Sequence, residues 1–262
     1  APFGEINLNG RQSLILEDGS KTSVSGEAQT VIVGEVQADG SWLYPVKPDQ
    51  PQVINTLKEK SVSLKSPSLE HKEGAVVDIS GGGDLLAYEF VPGPGGSRDV
   101  LSYGFNGGAG DSFAIVPTYG SAWGAYDTVE MASFPYAVGD TIRFENVAGL
   151  DSATGYAILP ARYALLPGAY LVTPRGTATQ PALNGKTVYG AIVAAGKLGN
   201  AGSGMTDSLW SSFVIEPGSV ALTRSEINLY SASRFFDASG TRPQDAGRIA
   251  YDAIDKLDID GD

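Results

Sequence analysis

The sequence predicts an all-β protein, and three observations support this fold class. The 262 residues include Gly 34 and Pro 15 beside 42% hydrophobic residues, which is typical of short apolar runs separated by many turns. Those runs alternate apolar and polar residues and show no helical periodicity. Segment 155–175 repeats tyrosine and proline every seven residues, and a proline in each unit excludes a helix because it removes a backbone donor and clashes with the preceding turn. Each unit therefore predicts a short strand closed by a proline turn.

Residues 1–84 are predicted to form the rungs of a β-solenoid. Four strand-like runs lie within 1–36, each ending at or just before a glycine, and the pattern resumes in 60–65 and 74–81. Short alternating strands with Gly, Asn and Asp at the corners are typical of stacked solenoid rungs. The same pattern returns near the other end of the chain, so we predict a further rung within 236–262. Because a rung buries its apolar face only between neighbours, the solenoid is expected to be open at both ends, with some self-association.

Residues 85–235 differ from the flanking segments, because aromatic residues become frequent and the predicted loops lengthen. The strand candidates are Leu85–Phe90, Phe113–Val116, Thr141–Phe144, Val188–Ala194 and Ser212–Ile215, together with the three tyrosine units. We predict an irregular, β-sandwich-like insertion carried on the solenoid. The predicted domains are therefore solenoid rungs at 1–84, a β-rich insertion at 85–235 and a returning rung at 236–262.

Charge and cysteine content exclude several functions. A net charge of −12 argues against a nucleic-acid backbone or an anionic membrane surface as partner, because both would be repelled. The chain has no cysteine, which excludes disulfides, thiolate metal sites and cysteine nucleophiles. It has no apolar run long enough to span a membrane. Its first residues do not resemble a signal peptide and lack a starting methionine, so we interpret it as part of a longer protein.

No catalytic motif is complete. The single histidine, His71, lies among charged residues and is predicted to occupy a solvated turn, which leaves a serine nucleophile without a base. Carboxylates beside glycine-rich loops could still act as a pair on a glycosidic bond, and Asp84, Glu89 and Asp111 are the candidates. Their alternative role is to cap turns. We predict no enzyme activity, and a glycan hydrolase or lyase is the remaining alternative.

Calcium is the other use of such carboxylates. Asp258, Asp260 and Asp262 resemble part of an EF-hand loop, but Gly261 comes too early for that motif. Asp111 follows a glycine-rich run that begins like a calcium β-roll repeat and occurs once. We predict no cofactor, and these four aspartates are the candidates if calcium binds.

Aromatic residues beside Gly, Ser or Pro are the stronger binding signal. Such rings stack on sugar faces or fill protein pockets, although they also cover a domain's own core. The candidate ligand-binding residues are Trp42, Tyr119, Trp123, Tyr126 and Trp210.

Two long segments carry a family resemblance. Gly74-Ala-Val-Val-Asp-Ile-Ser-Gly-Gly-Gly-Asp-Leu-Leu-Ala-Tyr-Glu-Phe-Val-Pro-Gly-Pro-Gly-Gly and Ile158-Leu-Pro-Ala-Arg-Tyr-Ala-Leu-Leu-Pro-Gly-Ala-Tyr-Leu-Val resemble a block of filamentous-haemagglutinin-like exoproteins of bacterial two-partner secretion. Segments 213–220 and 247–253 are similar to the continuation of that block. The resemblance implies a long, secreted, right-handed parallel β-helix displayed as a surface fibre, with a role in adhesion or biofilm formation. It implies no catalytic residues, and the family's N-terminal secretion domain has no counterpart in this sequence.

Together, these observations predict an internal structural and adhesive segment of a secreted bacterial surface fibre. Its expected partners are neighbouring rungs of the same long chain and a surface glycan or a host or bacterial protein. Two other functions remain open: a carbohydrate-active β-helix enzyme using paired carboxylates, and the passive stalk of a contact-dependent toxin.

Overall fold

A computed structural model describes residues 2–44, 52–94, 99–101, 112–124, 134–178, 185–186, 190–236 and 240–262. The structure is all-β, as the sequence predicted, with only short helical turns. Within these ranges, no helix is long and apolar enough to cross a membrane.

The strands are numbered in chain order. They are β1 (Glu5–Asn9), β2 (Ser13–Leu16), β3 (Lys21–Ser23), β4 (Thr30–Val36), β5 (Trp42–Leu43), β6 (Val53–Ile54), β7 (Ser61–His71), β8 (Val76–Asp78), β9 (Asp84–Val91), β10 (Phe113–Ile115), β11 (Asp140–Phe144), β12 (Tyr156–Ala157), β13 (Leu159–Pro160), β14 (Tyr170–Ala178), β15 (Gly185–Lys186), β16 (Ile192–Asn200), β17 (Met205–Thr206), β18 (Trp210–Pro217), β19 (Glu226–Ser231) and β20 (Arg248–Ile259). The helical turns are α1 (Gly218–Ala221), α2 (Ala232–Phe235) and two 3-10 turns, Ala161–Leu165 and Leu222–Arg224.

The chain divides into two units. Among the described residues, unit 1 comprises those of 2–88 and 229–262, and unit 2 comprises those of 89–228. The predicted insertion, 85–235, begins and ends a few residues outside unit 2. The division falls inside β9 and inside β19, whereas the predicted bounds follow the change in aromatic content and loop length along the sequence.

Unit 1 contains strands that stack in parallel, together with the short β5 and β6, which extend β4 in antiparallel pairs. β1 and β2 pair with one side of β7, and β20 pairs with its other side. Farther along, β3 pairs with β8 and β4 with β9, again in parallel. Three successive passes of the chain therefore lie one on another, and we call them coil 1 (5–36), coil 2 (61–88) and coil 3 (248–262).

Burial depends on the position of a coil in this stack. In coil 2, Val62, Leu64 and Leu69 are fully buried, since each has a neighbouring coil on both sides. In coil 3, Leu257 and Ile259 hold the positions that face Leu69 and His71 but remain 51% and 46% exposed. Side chains at matching positions of successive coils thus form columns that run through the stack. At coil 3 these columns are exposed to solvent.

A proline at the centre of the stack coincides with an irregularity in its neighbour. Pro67 lies within β7 and has no backbone N–H to donate to the next strand. The pairing register between β7 and β20 shifts by one residue at this point, between Ala253 and Lys256. This shift forms a β-bulge, so the ladder continues on both sides of the proline.

The single histidine does not lie on a solvated turn, so that prediction was wrong. His71 ends β7 and is buried. Its Nε2 donates to the Ala75 carbonyl at 3.0 Å, and its Nδ1 accepts from the Tyr251 hydroxyl at 3.0 Å. A side chain at Gly261 would collide with the imidazole ring, so glycine is required where coil 3 passes over it. The polar neighbours of His71 in the sequence gave no sign that its side chain lies in a buried column, in line with Leu16 and Ile259.

Unit 2 contains a nine-stranded antiparallel sheet that nearly closes on itself. The main path runs β12-β11-β16-β18-β14-β10-β13, and β15 and β17 pair with β16 beside this path. Its two terminal strands, β12 and β13, are separated in the chain only by Ile158. The two edges of the sheet therefore meet, which gives a barrel-like form. The predicted sandwich-like arrangement was wrong, because one sheet curls around one core.

The interior of this sheet is packed with aromatic and aliphatic side chains. The core residues are Phe113, Ile115, Phe134, Ile142, Phe144, Val147, Tyr156, Ile158, Val172, Ala194, Phe213 and Ile215. Phe144 packs edge-on against Phe213 with ring centroids 5.6 Å apart. A Cβ on Gly196 would lie 2.9 Å from the Phe144 ring, so glycine makes room for that ring.

The seven-residue tyrosine repeat does not form three equivalent strands. Tyr156 lies in β12 and Tyr170 in β14, but Tyr163 lies in a 3-10 turn. Tyr156 is buried and Tyr170 is partly buried against the same barrel core, whereas Tyr163 is fully buried elsewhere in unit 2. The prediction that each unit forms a short strand is therefore wrong for the middle unit, which folds as a 3-10 turn.

Candidate functional site

Two of the five candidate aromatic residues do not contribute to a described surface. Trp42 is only 1% exposed, and its ring centroid lies 5.1 Å from those of both Phe235 and Phe236. It therefore belongs to a core of unit 1, and its prediction as an exposed loop residue was wrong. Tyr126 lies outside the described residues.

Trp123 is the candidate ring that most clearly faces solvent. It is 54% exposed and lies against two glycines of unit 2, Gly139 and Gly202. A Cβ on either glycine would approach the indole ring, to 2.8 Å from Gly139 and 3.2 Å from Gly202. Gly139 also has a φ of +90°, which favours glycine. The backbone of these two glycines therefore supports one part of the Trp123 ring, and about half of the side chain remains exposed to solvent.

The segment that carries Trp123 is held by hydrogen bonds. Tyr119 donates its hydroxyl to the Trp123 carbonyl at 3.2 Å, and Ser121 Oγ accepts from the Trp123 N–H at 3.0 Å. Burial raises the pKa of the Tyr119 hydroxyl above its ordinary value. Tyr119 thus positions the tryptophan rather than offering a second open ring.

A cleft lies at the end of the barrel-like sheet where β11 begins and β16 ends. Its volume is about 320 Å³. The lining residues are Tyr136, Asp140, Leu198, Gly199, Asn200, Ser203, Met205, Thr206 and Asp207. Trp123 is not itself a lining residue, but Gly139 and Gly202, which contact its ring, are next in the chain to the lining residues Asp140 and Ser203, so the ring lies near the cleft. The site therefore combines a solvent-facing indole with carboxylate, amide and hydroxyl groups.

Hydrogen bonds fix the polar wall of this cleft. Asp140 Oδ1 accepts from Asn200 Nδ2 at 2.8 Å, and its Oδ2 accepts from the Ala137 N–H at 2.7 Å. Asn200 Oδ1 in turn accepts from the N–H groups of Gly202 and Ser203, both at 3.0 Å. The turn between β16 and β17 is thereby tied to the start of β11, and each carboxylate oxygen retains a lone pair for a ligand.

Trp210 lies outside this cleft lining, at the start of β18. Lys197 places its Nζ 4.8 Å from the centre of the Trp210 ring and also donates to the Ser208 carbonyl. This cation–π contact occupies one face of the indole. Trp210 is therefore a partly buried ring with a partner of its own.

The proposed catalytic carboxylates have structural roles where they are described. Asp84 accepts hydrogen bonds from Ser231, from both the hydroxyl and N–H of Ser233, and from the Leu85 N–H. Glu89 accepts from Asn228 Nδ2 at 3.2 Å. Asp111 lies outside the described residues. Four hydrogen-bond donors thus stabilise the Asp84 carboxylate, which holds α2 against β9.

The weak calcium candidates at the chain's end do not form a cluster. Asp258 pairs with Lys256 at 3.4 Å, and the backbone N–H groups of Asp260 and Asp262 donate to the carbonyls of His71 and Ala75. Over the ranges that the structure describes, no three His, Asp or Glu side chains form a group that could hold a metal ion. These aspartates form the corner at which coil 3 passes over β8.

Comparison with known proteins identifies no relative. No protein-family model matches the chain, and no curated protein and no solved structure matches it.

Sequence reasoning identified Trp123 but missed most of its surroundings. The polar cleft residues Asn200, Ser203 and Asp207 lie in a glycine-rich turn that looks like an ordinary hairpin connection. The available signal was the run Asn200-Ala-Gly-Ser-Gly, since an Asn that accepts from its own turn is a common turn device. Nothing in the local sequence placed that turn beside Gly139 and Trp123.

Proposed function

We propose that this chain is a structural and adhesive segment of a secreted bacterial surface fibre, with a glycan-binding site at Trp123 in unit 2. The single observation that carries the binding function is the half-exposed Trp123 ring beside a fixed polar cleft. No catalytic role is proposed for either unit.

The structural part of the proposal rests on the parallel stacking of unit 1. We infer that coils 1 to 3 are a section of a parallel β-helix, since β1 to β4 pair in the same order with β7 to β9. A right-handed course is proposed because parallel crossovers are right-handed in nearly all sheets. The resemblance of segments 74–96 and 158–172 to filamentous-haemagglutinin-like exoproteins supports the same role and the secreted location.

The binding part rests on how proteins recognise sugars and other small polar ligands. An indole face supplies apolar contact with the C–H face of a sugar ring, while nearby polar groups bind its hydroxyls. Asp140 and Asn200 are fixed by their mutual hydrogen bond, so a ligand would meet groups that are already ordered. Such preorganisation reduces the entropy lost on binding.

The charge of the cleft limits the class of sugar that the site would bind. Two carboxylates, Asp140 and Asp207, line it, and no Lys or Arg does so. The chain as a whole carries a net charge of −12. An acidic glycan would be repelled, so the site favours neutral hexoses or amino sugars.

The proposal is tested by a glycan array probed with the purified protein, followed by titration calorimetry with the best neutral or amino sugar. Removing an anchoring aromatic ring typically costs more than tenfold in affinity, so Trp123→Ala is expected to weaken binding by about tenfold or more. Trp210→Ala is the matched control, because that indole is partly buried and already in a cation–π contact with Lys197, and the affinity of this variant is expected to stay near that of the wild type. A blank array, or binding that survives Trp123→Ala, would reject the glycan site.

The same sugars serve to test for turnover. Reducing-sugar release should remain at background over a polysaccharide panel in this proposal. Sustained release that Asp140→Asn abolishes would contradict a purely adhesive role and favour the hydrolase alternative.

A further inference from the structure

Three outer strands of the parallel stack in unit 1, β20 at one end and β1 and β2 at the other, each leave one edge without a partner strand in the described chain. β20 pairs with β7 along one edge only, and β1 and β2 likewise pair only with β7. An unpaired edge presents N–H and C=O groups that another strand could use. Unit 1 therefore has two such edges, one at each end of the stack.

Both ends also present the apolar columns of the stack. On coil 3, Leu257 and Ile259 are about half exposed although their columns are fully or nearly fully buried in coil 2. On coil 1, Ile6 and Leu14 are partly buried for the same reason. Each end is thus an incomplete interior, and a further coil with apolar residues at the same positions would complete it.

The observed registers show what coil 1 would meet if it were placed on coil 3. Ser61 of β7 faces Glu5 on one side and Arg248 on the other. In the same register, a second copy's Glu5 would lie opposite Arg248, and its Ile6 would lie opposite Ile249. Farther along, Leu69 faces both Leu14 and Leu257, and His71 faces both Leu16 and Ile259. Apolar side chains therefore meet apolar side chains at three columns, and opposite charges meet at one.

Ion pairs already join neighbouring coils in this way. Lys72 of coil 2 pairs with Glu17 of coil 1 at 2.6 Å, and Lys65 of coil 2 pairs with Asp252 of coil 3 at 2.6 Å. A pair between Arg248 and a second copy's Glu5 would continue that pattern outside the single chain.

We propose that the open edge of β20 binds coil 1 of a second copy of this chain, in parallel and in the register that β7 uses. The two surfaces in this contact are different, so each added copy leaves the same free edge at its far end. Association of this kind does not close at a dimer and continues into linear assemblies. The inference rests on the stacking in unit 1 and is independent of the glycan site.

Sedimentation velocity over a concentration series tests the proposal. The wild-type protein is expected to give a mass that rises continuously with concentration. The double variant Leu257→Asp with Ile259→Asp is expected to remain a monomer, because two charges would have to be buried at the contact. Circular dichroism and thermal unfolding establish that it is folded. A wild type that stays monomeric at its highest soluble concentration, or assemblies that persist in the folded double variant, would overturn the proposal.

A charge exchange tests the register without touching the core. Arg248→Glu and Glu5→Arg are each expected to weaken association about two- to fivefold, the scale of one exposed ion pair converted to affinity. A protein that carries both substitutions is expected to regain wild-type association. If β20 instead pairs with β20 of another copy, Glu5→Arg has no effect and the mass stops at a dimer. Either of these results contradicts head-to-tail stacking.

Discussion

Units 1 and 2 meet the same physical requirement with different arrangements of strands. Both are made of β-strands that must pair their backbone groups and bury an apolar face. Unit 2 curls an antiparallel sheet until β12 and β13 nearly meet, so Ile142, Phe213 and Ile215 are almost completely buried. Unit 1 stacks parallel strands and leaves Leu257 and Ile259 of coil 3 about half exposed. A closed sheet is complete by itself, whereas a stack is complete only when something covers its ends.

Two tryptophans, one buried in unit 1 and one exposed on unit 2, provide a second comparison at the level of a single side chain. Trp42 is held inside unit 1 by Phe235 and Phe236, while Trp123 rests on glycines of unit 2 and faces solvent. Trp42 follows Ser41 and Trp123 precedes Gly124, so each lies beside a turn-forming residue and local context does not separate the buried ring from the exposed ring.

The largest expected effect comes from removing the buried tryptophan. Trp42→Ala should lower the free energy of unfolding of unit 1 by about 3–5 kcal/mol, because it leaves a cavity among the rings of Phe235 and Phe236. Native-state hydrogen exchange would show the loss of protection in β4 and β9. Trp123→Ala is the matched control and should change stability by about 0.5 kcal/mol or less, since its ring is half exposed. Equal losses for the two variants would contradict the assignment of Trp42 to a core.

A smaller effect is expected from a methyl group placed inside the barrel. Gly196→Ala puts a Cβ 2.9 Å from the Phe144 ring, and such overpacking costs about 1–3 kcal/mol. Urea unfolding of the variant and the wild type measures the difference. Gly185→Ala serves as control, because a Cβ there meets no atom within 4 Å. A fully tolerated Gly196→Ala would mean that the closed sheet is less tightly packed than its geometry indicates.

Acid should weaken unit 1 through one carboxylate. Hydrogen bonds from the Ser80 hydroxyl and N–H, followed by contacts with Lys21 and Ser23, hold the pKa of Asp78 well below its ordinary value. A lowered folded-state pKa contributes stability above the unfolded-state value of about 4, and this contribution is lost as the pH falls toward the folded-state pKa.

Asp78→Asn should therefore cost about 1–2 kcal/mol at neutral pH, on the scale of lost charge-assisted hydrogen bonds. The difference between variant and wild type should shrink progressively below a pH of about 4. Urea unfolding at a series of pH values measures this trend. A difference that does not depend on pH would show that Asp78 acts through packing rather than through its charge.

The smallest effect is expected at the surface between coils. Asp252→Asn removes the ion pair with Lys65, and both side chains are mostly exposed. We expect a slight decrease in the unfolding midpoint at low salt and none at high salt, because exposed pairs are weak and screened. A salt-independent loss would indicate that the pair is structurally required.

The all-β class could be predicted because short alternating strands and glycine turns are local signals. Runs such as 5–9 and 61–65 alternate apolar and polar residues, and 5–9 ends beside a glycine. The parallel pairing of these runs could not be predicted, since alternation is the same in parallel and antiparallel strands. His71 and Pro67 could not be placed either, since a polar residue in a column and a proline in a central strand both contradict local preferences.

The closed sheet of unit 2 could not be predicted, because its pairings join segments that are far apart in the chain. β11 pairs with β16 and β10 with β14, and no short-range pattern specifies these partners. The same limit applies to the cleft. Trp123 could be selected as an aromatic beside glycine, but its placement over Gly139 and Gly202 depends on the completed barrel.

The strands that pair with β7 are synthesised at very different times. When the chain is made from its N-terminus, β1 and β2 precede β7 and can pair with it at once. β20 emerges only after all of residues 89–228, so the second edge of β7 stays bare while an entire barrel is being synthesised. Late arrival of coil 3 thus makes β7 the strand most exposed to incorrect pairing in the nascent chain, and rapid folding of unit 2 shortens that interval.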